Sequence, residues 1–172
     1  MGAADRFLSA CRRADRAGAR KQLDGDPALI ERLTTGDRAA IVGAAEAGDT
    51  AAVTLMLDLG FSAGTRRDDR ATPLHAAAYA GSADTVRLLI GRGADIEARD
   101  ASWDSTPIEW AAVGSGEQPR DNPSPDWLGT VRALLDAGAA ADRIRLAPGD
   151  PKPPSAEVAA LLGAHARAQA SR

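Results

Sequence analysis

The 172-residue chain has one cysteine, Cys11, so no internal disulfide can form. It has two histidines, His75 and His165. A structural zinc site needs four good ligands at clustered spacing, so no metal site is expected. Aromatic residues make up 3%, which leaves Ala, Leu, Val and Ile to build any core. Small side chains of this kind favour helices stacked closely over a broad sandwich. No stretch approaches 18 apolar residues, so no membrane span is expected. Met1–Ala10 already holds Asp5 and Arg6, and no signal peptide is expected there. Lysine is scarce as well: Lys21 and Lys152 are the two among 21 basic residues. Basic and acidic groups are spread along the chain, with a net charge of −3. No segment carries the concentrated basic face that phosphate neutralisation requires, so nucleic acid is not an expected partner. These features point to the cytoplasm. Abundant Arg, Ala and Gly hint at a GC-rich bacterial genome.

Hydrophobic residues reach 44%, enough for a core, and the length suits a single domain over 1–172. The 17 Gly and 10 Pro imply many short elements with frequent punctuation. Self-similarity organises them. Gly48 and Gly81, Val53 and Val86, and Gly60 and Gly93 are each 33 residues apart. Thr72-Pro73-Leu74 recurs as Thr106-Pro107-Ile108 after 34 residues, whereas Thr85-Val86-Arg87-Leu88-Leu89 recurs as Thr130-Val131-Arg132-Ala133-Leu134 after 45. The difference places 11 inserted residues inside the last full repeat. A period near 33 implies a solenoid.

Local chemistry agrees. Thr72 can cap a helix, and Pro73 suits its first position. Leu74–Ala80 then reads as a short Ala-rich helix that Gly81 breaks. Asp84–Ile90 reads as a second helix with an apolar stripe at Val86, Leu89 and Ile90, ended by Gly91 and Gly93. From Asp95 onward the helical period is lost, and the chain is expected to extend as a loop or β-turn. Helices this short cannot bury an apolar face alone, so stacking is obligatory.

On Thr72-Pro73-Leu74-His75-Ala76-Ala77, Gly81, Val86-Arg87-Leu88-Leu89 and Gly93-Ala94-Asp95, the chain resembles the ankyrin-repeat family. The resemblance implies an all-α solenoid of about four helix-turn-helix repeats, near 4–33, 34–66, 67–100 and 101–141. A linker at 142–154 and a capping helix at 155–168 would follow, with Ser155 as cap and Val158, Leu161 and Leu162 as its apolar face. In the first, degenerate unit Ala14 stands in the place of Gly48. Leu23–Leu33 is long for an inter-repeat connection and is expected to hold an extra helical turn. Ser115–Asp126, broken by Pro119, Pro123 and Pro125, is expected as a loop on the rim opposite the β-turn fingers.

The resemblance also implies a function: non-catalytic binding of a protein partner through the concave face and turn tips, without a cofactor. Carried over by position, the binding residues are Trp103 and Tyr79 at the centre, with Arg67, Asp68, Asp69, Arg70, Ser102 and Glu46 around them. Ala71, Ala80 and Val113 are placed on the same surface. Trp103 stands among polar neighbours, as a binding anchor does, though it could instead fold back as packing. Trp110, in an apolar run, is expected in the interhelical core, and Trp127 has no assigned role. His75 is implied to tie its helix start to adjacent turns. Glu109 occupies the matching place one repeat on and needs a hydrogen-bond partner, such as Thr106, if buried. Cys11 reads as a small buried hydrophobe. Gly114-Ser115-Gly116 lacks the context of a phosphate loop. The competing reading is an enzyme or small-molecule binder that uses the groove with 115–126 as a lid. A self-associating structural role is the third.

Overall fold

The third and fourth repeats begin where side chains satisfy backbone amides at a helix start that would otherwise lack partners. Thr72 and Thr106 both form capping boxes, with His75 and Glu109 as the reciprocal residues and Pro at the first helical position. In the computed structural model, residues 2–119, 121–144 and 152–171 are described. They form ten helices: α1 (Ala3–Arg12), α2 (Arg16–Gly25), α3 (Thr35–Arg38), α4 (Ala40–Glu46), α5 (Thr50–Asp58), α6 (Pro73–Tyr79), α7 (Ala83–Gly91), α8 (Pro107–Glu117), α9 (Trp127–Asp136) and α10 (Ala156–Ala170).

The helices pair as α1/α2, α4/α5, α6/α7 and α8/α9, and the pairs stack. First helices run α4–α6–α8, and second helices run α5–α7–α9 behind them. Val53, Val86 and Val131 are wholly buried in the three successive second helices, so the repeat registers in space as in sequence. At the inter-helix turns the chain goes left-handed three times in register, at Ala14 (φ 52°), Gly48 (φ 68°) and Gly81 (φ 66°). Ala14 therefore does the work of a glycine in the first pair, despite its Cβ. Between α2 and α4 the expected extra turn is a hydrogen-bonded segment over 26–33, followed by the one-turn α3. Leu29 and Leu33 from that segment enter the core.

In the fourth pair α8 continues about one turn beyond its counterparts α4 and α6. Gly114 lies against the Tyr79 backbone and Gly116 against the Pro153 carbonyl, and a methyl group at either would overlap those atoms. Ser115 Oγ donates to the Ala112 carbonyl at 2.7 Å and accepts from the Ser155 amide at 3.0 Å. The Gly-Ser-Gly run is thus a close-packing seam for α6 and for the approach to α10. Ser155 caps α10 by accepting from the Val158 amide, and Val158 and Leu162 are buried while Leu161 is half-buried. The α10 helix closes the stack against α8 and α9. Of the expected linker 142–154, the part at 145–151 lies outside the described residues. Among the described residues no helix is long and apolar enough to cross a membrane.

Candidate functional site

Two turn tips project beyond the first helices. The first closes through Arg67 N–H to Ala71 O at 3.0 Å and passes left-handed through Arg70 (φ 62°). Asp69 braces it, accepting from the Ala71 amide at 3.0 Å and from Arg67 Nη2 at 3.0 Å. Arg67 Nη1 also reaches Glu46 Oε2 on α4 at 3.3 Å. The second tip is built around Asp100. This carboxylate accepts from the amides of Ser102 at 2.7 Å, Trp103 at 2.8 Å and Ser105 at 3.1 Å, and from Trp110 Nε1 at 3.0 Å. Burial pushes its pKa up, but the four donors outweigh burial and hold it below the ordinary range. The tips are joined by the Ala101 amide donating to Asp69 O at 2.7 Å.

His75 ties this framework to α6. Its Nδ1 accepts from the Thr72 amide at 3.2 Å and the Thr72 hydroxyl at 2.8 Å, which leaves Nε2–H to donate to Ser105 O at 3.0 Å. That is the structural part implied for it. Burial lowers its pKa and favours this neutral tautomer. Glu109 meets its expected partner: its Oε2 accepts from the Thr106 amide at 2.7 Å and hydroxyl at 3.1 Å. Cys11 is fully buried, and desolvation pushes its thiol up to about 11.

Between the tips and the first helices lies a pocket of about 420 Å³. Its apolar walls are aromatic. Trp110 stands at the centre, edge-on to Tyr79 at 5.9 Å and to Trp103 at 6.0 Å between ring centroids. Trp103 remains 66% exposed and is the exposed large hydrophobic side chain among the described residues. Its polar wall includes Glu46, Arg67 and Asp69 on one side and Glu117 and Lys152 on the other. Glu117 Oε2 accepts from the Tyr79 hydroxyl at 2.6 Å, and Glu117 Oε1 is 2.9 Å from Lys152 Nζ. Hydrogen bonding from Lys152, then from Tyr79, lowers the Glu117 pKa. Burial first, then Glu117, pushes the Tyr79 phenol up to about 12.

Of the nominated residues, Glu46, Arg67, Asp69, Tyr79 and Trp103 share this pocket. Asp68 faces a neighbouring hollow with Thr35, Gly36 and Ala39, while Arg70 and Ser102 are exposed on the tips. Ala71 and Ala80 are buried and are not surface residues: the Ala71 carbonyl closes its own tip by accepting from the Arg67 amide, and the Ala80 carbonyl accepts from Asn122 of the loop packed on that turn. Trp110 also departs from the expectation. It is partly exposed and lines the pocket, because its indole stands edge-on to Tyr79 and Trp103 and donates through Nε1 to Asp100 on the second tip. Glu117 and Lys152 also line the pocket, and no local signal in the sequence marks them: they are 35 residues apart and meet where Pro153 packs on Gly116.

The loop lies where it is expected, on the rim opposite the tips, and not over the groove as the lid of the competing reading would. Residues 121–126 pack on the opposite rim, where Asn122 Nδ2 donates to Ala80 O at 3.0 Å and the Asp126 amide donates to Gly81 O at 2.7 Å. Trp127 pins the same turn, with Nε1 donating to Tyr79 O at 3.0 Å. From 115–126 it is Glu117 that reaches the groove. Among the described residues no group of three or more His, Cys, Asp and Glu side chains is placed to hold a metal ion.

A family model for ankyrin repeats, in three copies, matches residues 10–119, more than half of the chain. The chain belongs to the ankyrin-repeat family. Its paired helices, capped Thr-Pro starts and projecting tips are those of an ankyrin solenoid, a scaffold that generally mediates interactions between proteins. No curated protein matches the chain.

Proposed function

We propose that this ankyrin-repeat chain is a non-catalytic module that binds a protein partner in the cytoplasm through its concave face and turn tips. The observation that carries the reading is Trp103, a large indole held 66% exposed over a pocket with a second indole and a phenol beneath it. Its backbone is fixed by Asp100, so the anchor is preordered and little entropy is lost on binding. Tyr79, Arg67, Asp69 and Glu46 form the pocket part of the contact surface, and Asp68, Arg70 and Ser102 the tip part. The groups a catalytic reading would use are already committed: His75 between Thr72 and Ser105, Glu109 to its helix start, and Glu117 to Tyr79 and Lys152.

Affinity capture from source-cell extract tests the proposal, with wild-type protein and a Trp103→Ala/Tyr79→Ala double variant run side by side. A specific partner retained by wild type and lost by the variant is the expected result. For Trp103→Ala alone, the affinity should fall by about 2 kcal/mol or more, roughly thirtyfold. Its thermal stability should change little, since the side chain is mostly solvated. Normal retention of the partner by the double variant would refute the proposal.

A further inference from the structure

We propose that the aromatic pocket is a receptor for the ammonium group of a lysine side chain on the partner, and that Lys152 occupies the receptor in the free protein. The inference rests on the partner-binding reading and specifies the chemistry of the contact. Three features converge on it.

The first is the resident cation. Lys152 Nζ lies 5.9 Å from the centroid of Trp103 and 2.9 Å from Glu117 Oε1, so one ammonium group engages an aromatic ring and a carboxylate together. A positive charge near an indole face is attracted by the ring quadrupole. Trp103 and Glu117 therefore already hold a lysine ammonium between them.

The second is the charge balance. Glu46, Asp69, Glu109 and Glu117 line the pocket, against Arg67 and Lys152. Arg67 serves Glu46 and Asp69, while Glu109 Oε2 is spent on Thr106 and its Oε1 lies 3.7 Å from Arg143 Nε, which leaves Glu117 as the carboxylate that Lys152 neutralises. Exchanging Lys152 for another cation keeps the charge on Glu117 balanced, whereas an acidic or neutral side chain would strip it of its partner.

The third is geometry, which selects lysine over arginine. Glu117 Oε2 is taken by the Tyr79 hydroxyl, so Oε1 is the oxygen turned to the cation. One acceptor oxygen suits a compact ammonium, while a guanidinium gains its advantage by bridging both oxygens of a carboxylate. The exchange needs only the Lys152 side chain to move. Its backbone neighbours are held where Pro153 crosses Gly116 and where the Ser155 amide donates to Ser115 Oγ.

The test is an NMR titration of the full chain, read at the three indole N–H signals, with Nα-acetyl-lysine methylamide as probe. The probe should shift Trp103 and Trp110 and leave Trp127, which faces the other rim. The Nζ-acetylated probe should give no shift. Lys152→Gln, an exposed change that leaves the fold intact by circular dichroism, should tighten binding of the lysine probe about two- to fivefold, the factor expected of a half-solvated cation–π contact. Unchanged or weaker binding to Lys152→Gln would overturn the proposal, as would equal binding of the acetylated probe. Tighter binding of the arginine analogue would overturn the choice of lysine. These outcomes separate from the partner reading: loss of a captured partner on Trp103→Ala, with no response to the lysine probe, sinks this inference alone.

Discussion

Tyr79 is the single tyrosine of the chain, so phenolate absorbance reports one residue. The phenol is pushed from the ordinary 10 up to about 12, by burial first and then by its hydrogen bond to Glu117 and the charge there. At pH 11 about one-tenth of Tyr79 should be ionised, where an unperturbed tyrosine would be about nine-tenths ionised. Changing Glu117→Gln removes the negative charge and keeps a carbonyl acceptor. Burial remains, so the midpoint should fall but stay above 10. The sign for stability follows from the same shift. A raised pKa means that the folded state favours the neutral phenol, so this contribution is complete below pH 10 and is lost as pH rises toward about 12. Wild type should lose thermal stability over that window more steeply than Glu117→Gln. The assay is a near-ultraviolet absorbance titration, with far-ultraviolet circular dichroism on the same samples to follow the helices. A one-proton curve centred on 10 with the helical signal intact would refute the reasoning. So would a midpoint that Glu117→Gln does not move.

The packing seam at Gly114 predicts opposite outcomes for two glycine-to-alanine changes. Gly114→Ala should cost about 1–3 kcal/mol in chemical denaturation, because its methyl group would press on the Tyr79 backbone. Gly43→Ala, also within a first helix but with nothing within 4 Å of the added methyl, should gain about 0.5–1 kcal/mol. Equal effects at the two sites would contradict the α6–α8 contact. Ala14→Gly should stabilise the first repeat by up to about 1 kcal/mol, since it relieves a left-handed alanine (φ 52°); a loss of stability would place that turn elsewhere. His75 has a lowered pKa, so its contribution is present above its ordinary 6.5 and is lost as pH falls through the folded value. Denaturation midpoints should therefore drop as pH falls below 6.5 in wild type, and this drop should shrink in His75→Gln.

Much of the scaffold is legible in the sequence because ankyrin packing is local and periodic. Thr72-Pro73 and Thr106-Pro107 announce helix starts through capping chemistry that works within four residues. The valines at 53, 86 and 131 mark one buried row, and Ser155 marks the last helix. Position 14 is readable as a turn although it is an alanine, because the spacing rather than the residue type identifies it. The site is less legible. Trp110 looks like core when judged by its apolar neighbours, and Ala76 one repeat earlier is buried, yet the larger indole reaches past that depth to Asp100 and the rings of Tyr79 and Trp103. Ala71 and Ala80 look like surface by analogy and are buried, one in a closed tip and the other under Asn122. Ser115 onward reads as loop, whereas the missing side chains of Gly114 and Gly116 let α8 run on to Glu117 against α6 and let the Pro153 carbonyl approach. The Glu117–Lys152 pair depends on that approach, and no periodicity in the chain encodes a meeting of segments so far apart.

Hydrogen–deuterium exchange on the complex with a captured partner tests the binding surface most directly. Slowed exchange should concentrate at the tips, 67–71 and 100–105, with the turns at 47–50 and 81–84 on the opposite rim exchanging as in the free protein. Protection confined to that opposite rim, with the Trp103 tip unchanged, would contradict the account.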